Sequence, residues 1–152
     1  MKKFNFSLEK VLQIKEMEEK IIQKKLFMVQ NSIYLAEQEI IAFHENIDQE
    51  RENITQLINT RSSSSDVMLH YNYLEGMEFQ IEILVSEIEK LKMTEIEIKN
   101  ELIEKSKEKK ALEKLKEIQY EDYRRGYKKE QLTIIDEISI QSFRNKRASN
   151  YE

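Results

Sequence analysis

The sequence predicts an all-α fold: a long two-helix antiparallel coiled-coil hairpin with an extended C-terminal helix overhang. Three observations predict it. Among 152 residues there are two glycines and no proline, so the turn chemistry of sandwiches, barrels and glycine-rich nucleotide folds is missing. Apolar residues recur at alternating steps of 4 and 3, the period of a left-handed coiled-coil seam. One polar, serine-rich stretch divides that seam into two long segments. Composition agrees, with 36% charged and only 39% hydrophobic residues against about 25% charged in an ordinary domain.

The first helix is read over about residues 7–58. Its seam runs Leu8, Leu12, Lys15, Glu19, Ile22, Leu26, Val29, Ile33, Ala36, Ile40, Phe43, Ile47, Glu50, Ile54 and Leu57, twelve of fifteen positions being apolar. Ser7 is placed to cap its N-terminus, Phe6 and Val11 to staple it, and Glu9 to meet the positive end of the helix dipole. Residues 59–66, Asn-Thr-Arg-Ser-Ser-Ser-Ser-Asp, carry side chains that compete for backbone hydrogen bonds. They read as the turn, with Ser65 or Asp66 capping the next helix.

The second helix is read over about residues 67–146, so that residues 1–152 form one coiled-coil domain. Its seam runs Val67, His70, Leu74, Met77, Ile81, Leu84, Ile88, Leu91, Glu95, Ile98 and Leu102, nine of eleven positions being apolar. The lysine-rich stretch 104–110 interrupts it, and Ala111, Leu112, Leu115 and Ile118 suggest a shifted phase, a stutter. A short turn makes the helices antiparallel neighbours, with paired residue numbers adding to about 126, Leu8 opposite Ile118 and a body about 80 Å long. Beyond Tyr120 the chain has no partner left inside itself. Tyr123, Tyr127, Gln131, Ile134 and Ile138, with Leu132, Ile135, Ile140 and Phe143 beside them, then form an amphipathic face expected to order on a partner. Gly126 is a candidate bend.

No catalytic constellation is visible. Cysteine is absent, which removes disulfides, thiolate zinc sites and a cysteine nucleophile. His44 and His70 lack further metal ligands at a recognised spacing, and His70 falls on the seam, where a polar residue sets register. Gly76 and Gly126 are isolated, whereas a phosphate cradle needs a cluster. The expectation is a protein with no enzymatic activity and no cofactor. Met1-Lys2-Lys3 has no apolar run behind it, so it is not a secretory signal, and no stretch approaches the roughly 18 apolar residues of a membrane span.

Charge is uneven although the net value is only −4. Residues 37–57 sum to −5 and residues 105–116 to +4, with Arg124, Arg125, Lys128, Lys129, Arg144, Lys146 and Arg147 continuing the basic half. Tyrosines and isoleucines interleaved with those cations suit a protein interface. Nucleic acid is the weakest reading of them, given the overall negative charge.

The segment Phe4-Asn5-Phe6-Ser7-Leu8-Glu9-Lys10-Val11-Leu12 resembles the opening of the FliJ family of flagellar export proteins. So do Lys107-Glu108-Lys109-Lys110-Ala111-Leu112-Glu113-Lys114-Leu115-Lys116-Glu117, Asp136-Glu137-Ile138 and Phe143-Arg144. The resemblance covers essentially the whole chain. It implies a cytoplasmic component of the flagellar type III export apparatus, similar to the stalk of rotary ATPases and peripheral to the cell membrane. It implies docking in the ring of the export ATPase FliI, contact with the export-gate protein FlhA, and escort of substrate chaperones. Carried over by position, ATPase-facing residues are Phe4, Leu8, Val11, Leu115, Tyr120, Tyr123, Arg124, Tyr127, Ile134, Ile138 and Phe143. Gate-facing residues are Phe43, Ile47, Tyr73, Met77, Gln80 and Leu84, the apolar ones also occupying or neighbouring the seam, where a core role stays open. The free chain is expected as a monomer; a structural homodimer without an export role is the alternative.

Overall fold

The computed structural model of the chain describes residues 3–148, residues 147 and 148 by their backbone only. Met1, Lys2 and the side chain of Arg147, which entered the readings of the two termini, lie outside the described residues. Two helices make the fold, α1 (Glu9–Asn59) and α2 (Ser64–Ala148), with no strand among the described residues. They pack against each other antiparallel. Every residue of the predicted seams, Leu8 to Leu57 and Val67 to Leu102, is buried or half-buried.

The helix ends differ from expectation in informative ways. α1 starts at Glu9 through a turn in which the Glu9 N–H donates to the Phe6 carbonyl at 3.2 Å. Phe6 is buried while Val11 is 39% exposed. At the other end Ser62 N–H donates to the Leu57 carbonyl and Arg61 N–H to the Ile58 carbonyl. This is a Schellman closure with Arg61 at the left-handed position, φ 52°, where glycine is usual. The cap of α2 is Ser63, two or three residues earlier than expected. Its hydroxyl oxygen accepts from the Asp66 N–H at 3.2 Å and donates to the Asp66 carboxylate at 2.8 Å, a reciprocal pairing like a capping box. The connection therefore shrinks to Thr60–Ser63.

The chain forms two compact units: Glu18–Glu104, and Met1–Met17 with Lys105–Glu152. In the first, Ile33, Ala36 and Ile88 make a buried cluster with Val29, Ile40, Leu84 and Leu91 packed against it. Register is marked at its surface by Gln30 donating to Glu95 at 2.9 Å, Arg51 donating to Glu78 at 3.4 Å and the ion pair of Lys92 with Glu37 at 3.7 Å. These pairs add to values near the predicted 126. Lys99 (2.7 Å) and Gln30 both donate to Glu95 and hold its carboxyl below the usual carboxylate range. Near the turn, Glu50 is only 7% exposed; His70 Nδ1 meets one of its oxygens and Asn53 donates to the other at 3.2 Å. His70 is thus a seam residue with a specific partner. No group of three metal-ligating side chains occurs among the described residues.

In the second unit the predicted stutter does not occur. Lys105, Lys109, Leu112 and Lys116 follow Leu102 at unbroken 4-and-3 spacing and are half-buried. Ala111 is exposed, Leu115 is 37% and Ile118 49% exposed. Lysine stems are apolar for four carbons and can line a seam while the ammonium reaches its edge. Lys15 Nζ accordingly meets Glu108 at 2.7 Å and Lys116 Nζ meets Glu9 at 2.7 Å; Glu9, not Leu8, marks the level of residue 116. The half-buried positions run on through Tyr123 to Gly126, and α2 continues as helix past that glycine. The overhang therefore begins at Tyr127, not after Tyr120, and is helical to Ala148 within the chain itself.

Candidate docking surfaces

The unit holding both termini places the first set of candidate residues. Residues 3–6 are not helical; the buried Phe6 lies beneath Lys116, whose Nζ is 5.9 Å from its ring centroid. This anchors the segment and swings Phe4 onto α2. The Phe4 ring stands edge-on to Tyr120 with centroids 5.2 Å apart, and tilted to Tyr123 at 5.6 Å. Tyr123 continues the row, 6.4 Å from Tyr120 and 6.5 Å from Tyr127. These separations fall in the favourable range for aromatic pairs. One helix face thus becomes a ladder of three tyrosines capped by a phenylalanine.

Of the predicted ATPase-facing residues, the structure brings together Phe4, Tyr120, Tyr123 and Tyr127. Leu8 is half-buried, while Val11, Leu115 and Arg124 are exposed. Every residue from Tyr127 to Lys146 is exposed, with Ile134, Ile138 and Phe143 at 43%, 60% and 73%. These three stand apart from the ladder, further along α2.

Cations flank the same helix. Arg125 is held by its own helix, 3.7 Å from both Glu121 and Asp122. Arg124, Lys128 and Lys129 carry no ion pair among the described residues, so their charge faces solvent. Lys114 keeps its proton above the usual lysine range because Glu117 accepts from it at 2.6 Å.

The second set, in Glu18–Glu104, divides by depth. Ile47 and Met77 are 3% exposed, because both occupy seam positions. Leu84 packs on the Ile33, Ala36 and Ile88 cluster, and Phe43 is half-buried. Tyr73, at 58%, and Gln80 are the exposed members. Phe79 and Ile83, at 59% and 44%, are exposed apolar residues of α2 that the seam reading passed over. Their signal was in the sequence: large apolar residues at heptad positions pointing away from the seam have no place in a two-helix core.

Among the described residues no helix is long and apolar enough to cross a membrane. Compared with known proteins, the chain matches the family described as Flagellar FliJ protein over residues 4–148. No curated protein and no solved structure matches it.

Proposed function

The chain belongs to the FliJ family of flagellar export components, its match spanning residues 4–148 of 152, and from that premise we propose a stalk that docks in the ring of the export ATPase FliI. The single observation that carries this reading is the exposed helix 127–146 with its apolar side chains and the exposed cations Lys128 and Lys129. Large apolar residues in water at helical spacing favour a partner that covers them. The tyrosine ladder supplies the rigid aromatic anchors typical of interface hot spots. Arg124, Lys128 and Lys129 supply steering for association with an acidic surface. Tyr73 and Gln80, as exposed members of their set, are the proposed contacts to the gate protein FlhA. Escort of substrate chaperones, and residence at the cytoplasmic face of the membrane through these partners, complete the proposal. The role asks for surfaces rather than a reaction, and the family is non-enzymatic.

The test is a double change of Tyr123 and Ile134 to alanine. The variant should keep its helical circular dichroism yet lose stimulation of the ATPase, with at least one anchor worth about 2 kcal/mol of binding. Glu52→Ala, on the acidic first helix, should leave stimulation intact. ATPase stimulation equal to the parent in the double variant would remove the tail from the docking contact.

A further inference from the structure

A second apolar face lies on α1, outside the seam. Ile21, Met28 and Leu35 stand seven residues apart and are 55%, 60% and 58% exposed. Phe27, Tyr34 and Ile41 form a row beside them at 69%, 57% and 50%. All six belong to the unit Glu18–Glu104, and none is needed by the α1–α2 seam. Between the rows run Lys24, Asn31 and Gln38, each exposed and three or four residues from members of both.

The charge here departs from the rest of the chain. Residues 20–36 contain Lys20, Lys24 and Lys25 and no carboxylate, in a protein of net charge −4. All three lysines are exposed, and none takes part in an ion pair among the described residues. On this acidic chain they are cations without a counter-charge, set around exposed apolar side chains.

We propose that this outer face of α1 docks an acidic amphipathic helix of another protein. A seven-residue repeat is the spacing that a second helix, packed lengthwise, can follow with its own side chains. The three unpaired lysines select carboxylates on that helix, and like charges would be rejected. The polar line Lys24, Asn31 and Gln38 argues against a lipid surface. Hydrocarbon would leave those groups unsatisfied, whereas polar side chains of a partner helix can bond them. This face is separate from the tail, and it stands or falls independently of the docking reading above.

The experiment uses the full chain and two labelled synthetic peptides of about four heptads. Both carry leucine and isoleucine at the seam positions; one has glutamate on the flanks and the other lysine. The glutamate peptide should bind at least about tenfold more tightly than the lysine peptide, with affinity falling as salt rises. Ile21→Glu combined with Met28→Glu should abolish binding of the glutamate peptide while leaving the helical signal and melt unchanged, since both residues are exposed. Reversing Lys20, Lys24 and Lys25 to glutamate should invert the peptide preference. Equal binding of both peptides, or of neither, overturns the proposal. So does a dimer of the parent chain in sedimentation equilibrium that the Ile21/Met28 variant abolishes, because a second copy would then be the occupant. Vesicles containing anionic lipid that bind the parent but not this variant overturn it equally.

Discussion

Glu50 and His70 show how one pair of side chains can hold a level of the seam. The Glu50 carboxylate is buried but divides its oxygens between His70 and Asn53, so its desolvation is matched by two partners. Replacing His70 by leucine leaves that carboxylate half-satisfied in an apolar setting and should cost about 1–3 kcal/mol in chemical denaturation. Replacing both residues by leucine should return stability to near the parent value, because a buried polar pair and a hydrophobic pair of similar volume are often equivalent. A double variant as unstable as the single one would show that the pair is not coupled. The sequence placed His70 on the seam from spacing alone. It could not show Glu50 as the partner, since that pairing depends on the level at which the helices meet. Ser63 is a similar case: four consecutive serines all suit a cap, and the reciprocal bond to Asp66 is what selects the second of them.

At the scale of whole helices, strict periodicity explains why the seams were legible. Twenty-six positions were read off at 4-and-3 spacing, and all are buried or half-buried. Residues 105–118 depart from the predicted stutter, since lysine does not interrupt the seam there. The phase continues through Lys105, Lys109 and Lys116 because their methylene stems line the seam, and Ala111, Leu115 and Ile118 are the exceptions that face out. The turn between the helices was located but its closure was not, since a left-handed arginine has no sequence signal. Arg61 holds φ 52°, a conformation that costs a side-chain-bearing residue about 1 kcal/mol or more. Arg61→Gly removes that strain at the position where Schellman closures favour glycine. The expected outcome is a rise in melting temperature of about 2–4 °C, read by circular dichroism. A fall would mean that the gain in unfolded-chain freedom outweighs the relieved strain.

For the molecule as a whole, the packed hairpin and the exposed tail proposed to dock are carried largely by different residues. The helix from Tyr127 onward is exposed throughout its described side chains, so it adds nothing to the packed core. A chain ending at Tyr127 should keep the melting temperature of the parent within about 2 °C and lose the ATPase contact proposed above. Loss of the melt on truncation would assign the tail to the core. That the tail would be apolar was legible in the sequence. Its starting point was not, because Phe4 reaches Tyr123 from a non-helical segment that no periodicity describes. The continuity of α2 from Ser64 to Ala148 has a thermodynamic corollary. Starting a helix is the unfavourable step, and extending one is nearly free; here the packed stem supplies the start, so each tail residue only propagates it. Capture of the tail then removes side-chain surface from water without a coil-to-helix transition. In titration calorimetry the heat-capacity change should match the buried apolar area alone, free of the large ordering entropy that marks segments which fold as they bind.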